Sequence, residues 1–233
     1  MNISPDTIIY WQWGPFQLSA TIVFTWVVMA LLLLLSWLAT RKLSVQTDIS
    51  RWQHFLETLV SYIQEQIKEV VRHDERRYLP FIGALFLFIS VANLLAFVPG
   101  YHPPTGSLYT TGGLALCVFF AIPIFGILKQ GWLGYFKHYI QPTVLMLPFH
   151  IISEFSRTLS MAVRLFGNIM SGTMTVAILL SVAPLFAPVI MQVLGLLIGQ
   201  IQAYIFAVLA MVYIGSATRT QEQQEEPQSE HEE

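Results

Sequence analysis

Residues 144–182 read VLMLPFHIISEFSRTLSMAVRLFGNIMSGTMTVAILLSV, and residues 185–217 read LFAPVIMQVLGLLIGQIQAYIFAVLAMVYIGSA. As helices rising 1.5 Å per residue, each would be roughly 50 to 60 Å long against a hydrocarbon core of about 30 Å. Ordinary tilts do not absorb that excess. Either each run breaks into two spans, or each is one steeply inclined helix that extends past the core. A break needs a polar turn in mid-run, and neither run has one. The sequence therefore predicts two long, strongly tilted helices joined as a hairpin, with Pro184 and Pro188 marking the junction.

The rest of the chain agrees with a membrane setting. Of 233 residues, 55% are hydrophobic and 11% charged, against roughly 25% charged in soluble domains. Three further apolar runs cover about 16–39, 79–98 and 108–128, each near the roughly 20 residues that cross a bilayer. The fold class expected is an all-α membrane protein: about five membrane segments form a single membrane domain over residues 1–218, and residues 219–233 form an acidic polar tail. The first run has no basic segment before it and is longer than the apolar part of a signal peptide, so it is expected to be a retained span. Cys117, the one cysteine, excludes an internal disulfide and a cysteine-rich metal site.

Charge placement sets the expected orientation. With the N-terminus outside, Arg41, Lys42, Arg51, Lys68, Arg72, Arg76, Arg77, Lys129, Lys137 and Arg219 all fall on the inner side, and the outer loops hold no lysine or arginine. Between the first two spans, about residues 51–72, Trp52, Phe55, Leu56, Leu59, Val60, Ile63, Ile67, Val70 and Val71 repeat at helical spacing opposite Glu57, Glu65, Lys68, Glu69 and Arg72. This amphipathic helix fits either the inner membrane surface or a neighbouring protein surface. The outer loop from Pro99 to Gly106 is rich in turn formers, and its His102 reads as a solvated loop residue.

The only lysines or arginines inside the long runs are Arg157 and Arg164. Arg157, near the start of its helix and three residues from Glu154, can snorkel to the inner interface or pair locally. Arg164 lies two turns deeper, where a charge is expensive and marks a functional site by default. Ser160, Arg164, Asn168, Ser171 and Thr175 follow at spacings of three or four and form one polar stripe. A second stripe, Gln192, Gly195, Gly199 and Gln202, lies on the last segment. Gly167, Gly172, Gly195 and Gly199 fit close helix packing, while Asn168 and Gln202 suit either hydrogen bonding to the arginine or water, or interhelical contact.

An arginine does not surrender its proton in a protein, so Arg164 is no proton carrier. It can hold a carboxylate ionised or repel cations. The hairpin has no acid between Glu154 and Glu222, so a titrating partner would belong to another subunit. Voltage sensing needs several arginines along one helix. A secondary transporter or channel with an intramembrane anion site at Arg164 is the alternative, as is an assembly protein with a buried anchor; no internal repeat supports a transporter.

The run Ser160-Met161-Ala162-Val163-Arg164-Leu165-Phe166-Gly167-Asn168-Ile169-Met170-Ser171-Gly172, followed by Ile201-Gln202-Ala203-Tyr204-Ile205-Phe206 and Val212-Tyr213, resembles subunit a of F-type ATP synthases, and Asn93 to Gly100 with Pro103-Pro104-Thr105 is similar to that family's outer loop. The resemblance covers most of the chain from Leu79 onward. It implies a non-catalytic stator subunit lying against a rotating ring of c subunits, held with peripheral-stalk b subunits and other ATP synthase subunits in the lipid bilayer. Ions would reach and leave the ring carboxylates through two half-channels, with Arg164 separating them. ATP chemistry would sit on other subunits, because no phosphate-cradling glycine loop with its lysine is present.

Two positions depart from the family pattern. Thr173 follows Gly172 where many relatives carry glutamate or histidine, and Gly195 stands where they often place histidine or an acid. His150 and Glu154 are candidate polar gates of the inner path, although Glu154 also suits a partnership with Arg157, and His150 an interfacial position. The outer path would be lined by water and hydroxyls, which suits sodium as well as protons. No cofactor, metal or nucleic-acid partner is expected. A bacterial cell inner membrane is the expected location, with the C-terminus cytoplasmic.

Overall fold

The structure, a computed structural model, describes residues 6, 9–13, 16–41, 75–98, 100–140, 146–182 and 187–218, and residues 57–68 except 59, 62 and 67. Among the described residues, five helices are long and apolar enough to cross a membrane: α1 (Ala20–Arg41), α2 (Glu75–Leu94), α3 (Leu108–Ile140), α4 (Met146–Val182) and α5 (Ala187–Thr218). The last two run unbroken for 37 and 32 residues and pack against each other as a hairpin-like pair. Proline occurs at the third position of α4 and the second of α5, where the first turn lacks an intrahelical partner for its N–H in any case.

Two boundaries differ from the sequence expectation. The first helix begins at Ala20, not near residue 16, because residues 9–13 and 16–19 pair as antiparallel strands β1 and β2. Ile9, Tyr10, Trp11 and Trp13 are residues that favour a pleated strand, and Gly14-Pro15 stands between the strands as a turn signal. The third helix continues past 128 to Ile140 through a break at Gly131, whose φ of 76° and ψ of 166° are not helical. A side chain disfavours that φ, and glycine tolerates it.

The core is one cluster built from four helices. Tyr78, Ile82, Leu85 and Ile89 repeat along α2 and meet Val118, Ala121 and Ile122 of α3, Met161 and Leu165 of α4, and Ala203, Phe206, Ala207, Ala210, Met211 and Ile214 of α5. The alanines on α5 allow close backbone approach, the usual means of helix association in lipid, where apolar burial alone drives little. At one end, Phe125 stacks near Tyr78 and Phe81, with centroids 5.1 and 6.0 Å apart. α1 stands apart: it packs mainly on α2 and on the turn at 104–106, and Trp26, Leu33 and Trp37 are exposed.

The described residues of 57–68 are helical. Ile63 packs against the main core, and Gln66 Oε1 accepts a hydrogen bond of 2.7 Å from the Tyr204 hydroxyl. This segment therefore meets α2 and α5, while Val60 and Lys68 face outward. Trp52, Phe55, Leu56, Leu59, Ile67, Val70 and Val71 of the expected apolar stripe lie outside the described residues, as does the tail.

Candidate functional site

The two sides of α4 have opposite fates. Thr158, Met161, Ala162 and Leu165 turn into the molecule, while Ser160, Val163, Arg164, Ser171, Thr173 and Met174 are exposed and Asn168 and Thr175 half-exposed. The hydroxyls beyond Arg164 bond back onto their own helix: Ser171 to the Asn168 carbonyl at 3.0 Å, Thr173 to Ile169 at 2.9 Å and Thr175 to Ser171 at 2.8 Å. Such back-bonding satisfies each donor locally. Arg164, with five N–H donors and a permanent charge, makes no hydrogen bond or ion pair with the described residues. Neither Asn168 nor Gln202 is joined to it. A charge exposed in an apolar span is costly to leave unpaired, because hydrocarbon supplies no partner.

The expected stripe on α5 divides. Gln192 is exposed, whereas Gln202 is buried and makes no hydrogen bond with the described residues. The glycines divide as well. A methyl group at Gly167, Gly172 or Gly195 would meet nothing within 4 Å, so these three make no tight contact among the described residues. At Gly199 it would lie 3.1 Å from Asn93 Cβ, and there the α2–α5 approach leaves no room for a side chain.

His150 and Glu154 come together in a cavity of about 240 Å³ between α3, α4 and α5, lined also by Ile122, Ser153, Arg157, Tyr213, Ser216 and Ala217. The Arg157 guanidinium lies 5.5 Å from the centre of the Tyr213 ring, within reach of a cation–π attraction. The aromatic face thus supplies a contact for this arginine that the sequence did not suggest. The cavity opens two helical turns from Arg164, toward the end of the molecule that carries Arg77 and Lys129.

A second polar cluster lies at the opposite end. Asn93 Nδ2 donates to the Gly199 carbonyl at 2.8 Å, and its Oδ1 accepts from Thr105 Oγ1 at 3.0 Å. One turn away, Ser90 Oγ donates to Gln200 Oε1, and Gln200 Nε2 returns a bond of 2.9 Å to the Ser90 carbonyl. The turn Pro104–Gly106 is buried and packs on α1, α2, α3 and α4. Ser107, just after it, donates to Asp6 Oδ2 at 2.8 Å, and Thr21 Oγ1 donates to Asp6 Oδ1 at 2.6 Å. The loop's His102 is not the solvated residue expected: it and Tyr101 lie against Phe24, and Tyr101 Oη and His102 Nδ1 are buried without a hydrogen-bond partner among the described residues. Burial pushes the Tyr101 phenol up.

Residues 22–215 match the family model described as ATP synthase A chain. The chain belongs to the ATP synthase subunit a family. It is 58% identical to ATP synthase subunit a 2 of Acaryochloris marina over 99% of this chain and 98% of the relative. It is 56% identical to ATP synthase subunit a of Albidiferax ferrireducens over 99% of this chain and 100% of the relative. As a family member it is the ion-translocating stator subunit of an F-type ATP synthase, an integral membrane protein that is not itself catalytic. The sequence offered Asn93 and Thr105 only as part of the loop resemblance and gave no role to Ser90 or Gln200. Ser90 and Asn93, three residues apart in an apolar span, carried a signal; the partnership with Gln200 and Thr105 is purely tertiary.

Proposed function

We propose that the exposed side of α4 bearing Arg164 faces a ring of c subunits whose membrane carboxylates carry the ion, and that this subunit supplies a half-channel to each side. The observation that carries the reading is Arg164: a permanent charge in an apolar span, exposed and without a partner among the described residues, in a hairpin whose one acid, Glu154, lies ten residues before it. A passing carboxylate gains its strongest contact there, favouring the ionised form, so it releases its ion before it passes. Open glycines at 167, 172 and 195 leave the neighbouring surface low, which suits close approach of moving helices. An anion transporter would enclose its arginine, and Arg164 is open on the side of the molecule.

The inner half-channel is the cavity of His150, Glu154 and Arg157, with Ser153 and Ser216 offering further polar groups. The clustering of Arg77 and Lys129 toward that end supports a cytoplasmic assignment, with the N-terminus outside, in a bacterial cell inner membrane. The outer half-channel lacks titratable groups at Thr173 and Gly195, and Asn168, Ser171, Thr175, Gln192 and Gln202 are its polar lining, with Ser160 one turn to the inner side of Arg164. The exposed face of α1 fits the helices of peripheral-stalk b subunits. The ion is a proton or sodium.

The test is ATP-driven ion uptake into vesicles holding the whole purified complex, with and without sodium and with a protonophore, for wild type and Arg164→Lys. The variant is expected to assemble and not pump, because lysine can lose its proton and lacks the planar fork. Normal pumping by the variant would refute the mechanism.

A further inference from the structure

The inner cavity holds an arginine that does not pair with the acid one helical turn away. Glu154 and Arg157 are three residues apart on α4, a spacing at which a carboxylate and a guanidinium ordinarily meet. Arg157 nevertheless makes no hydrogen bond or ion pair with the described residues. Its contact is across the cavity, with the Tyr213 ring of α5, whose centre lies 5.5 Å from the guanidinium carbon. Glu154 has a contact of its own, and it is to a group other than Arg157.

Where Arg157 rests matters because its charge is permanent. Among the described residues lining this space of about 240 Å³, Glu154 is the one carboxylate, and His150 is the only titratable side chain besides it, Arg157 and Tyr213. An Arg157–Glu154 pair would hold the acid neutralised at every working pH, since arginine never releases its proton. It would also set a fixed cation beside the path of a moving one. The Tyr213 ring offers the guanidinium another resting place: its face attracts a cation, and the planar fork stacks on it. The Tyr213 hydroxyl makes no hydrogen bond with the described residues, so the ring face is the part in use.

We propose that Tyr213 is a positioning residue of the inner half-channel, whose ring holds the Arg157 guanidinium on the α5 wall and keeps it from closing an ion pair with Glu154 across the path. This role rests on the cavity being the inner half-channel described above. Tyr213 touches no ion itself; it acts through Arg157, and its effect exists only while Arg157 carries its charge.

The experiment uses the whole complex in vesicles and measures ATP-driven uptake per assembled complex, followed with radioactive sodium and with an acidification dye. Tyr213→Leu removes the ring and is expected to slow uptake about two- to fivefold, the worth of one cation–π contact at a partly exposed site. Tyr213→Phe, which keeps the ring, is expected to rescue the rate. In an Arg157→Gln background, Tyr213→Leu is expected to cost nothing further, because no charge remains to be held. Wild-type uptake by Tyr213→Leu overturns the proposal. So does an equal loss from Tyr213→Leu with and without Arg157, including failure to assemble in both backgrounds, which is the behaviour of a residue that only packs. Glu154→Gln tests the underlying reading: uptake at the wild-type rate would remove the cavity from the path, and the proposal with it. Slow uptake in Glu154→Gln beside normal uptake in Tyr213→Leu would sink the proposal alone.

Discussion

Replacing Gly199 by alanine tests the close approach of α2 and α5. The new Cβ would stand 3.1 Å from Asn93 Cβ and 3.3 Å from Asn93 Cγ and Nδ2, nearer than ordinary carbon contacts of about 3.5 to 4.0 Å. Asn93 has little freedom to yield, since it is buried and bonded at both ends of its amide, to Gly199 and to Thr105. Overpacking of this kind costs about 1 to 3 kcal/mol, while alanine in a helix interior regains up to about 1 kcal/mol over glycine. The net expectation is a loss of about 0 to 2 kcal/mol. In an Asn93→Gly background all three obstructing atoms are gone, and Gly199→Ala should then stabilise by up to about 1 kcal/mol. A double-mutant cycle by reversible unfolding in lipid bicelles reads the coupling directly, and about 1 to 3 kcal/mol is expected. Additivity within about 0.5 kcal/mol would refute the packing argument.

Other outcomes follow from single contacts. Gln200→Leu leaves the Ser90 hydroxyl without its side-chain acceptor and should cost about 1 to 3 kcal/mol in the same unfolding assay. Gly131→Ala forces a side chain to φ 76° and ψ 166° and should destabilise by about 1 to 3 kcal/mol. Tyr101 is neutral when protonated, and its phenol is pushed up in the fold; its contribution to stability is therefore complete below the ordinary tyrosine value and lost as pH rises through the raised one. Spectrophotometric titration should show one tyrosine resisting ionisation well above pH 10 in wild type and not in Tyr101→Phe. Because the Tyr101 hydroxyl is buried without a partner among the described residues, the phenylalanine variant should be as stable as wild type or more so below that pH.

The hairpin was legible because length is a strong constraint: two apolar runs far longer than a bilayer, without interior turns, leave few arrangements. Arg164 was legible because charge in such a run is costly. The orientation of its stripe was legible only as periodicity; which side turns outward depends on Met161 and Leu165 meeting helices far away in sequence. The same limit hid the Asn93–Gly199 contact, the placement of Arg157 over Tyr213 and the Asp6 clasp, whose partners lie 106, 56 and 101 residues apart. Gly167, Gly172 and Gly195 show the opposite error. Small residues at helical spacing signal close approach, but not whether the approaching surface belongs to the same chain.

The most direct test of the central claim is a cross-link. In the whole complex with Cys117 replaced by serine, single cysteines at Ser160 and Ser171 on the exposed stripe, and at Thr158 and Ala162 on the buried side of α4, are paired with a cysteine one turn from the ring carboxylate of the c subunit. The account predicts rapid disulfide formation from positions 160 and 171 and none from 158 and 162. Cross-linking from the buried side, or none from the stripe, would contradict it.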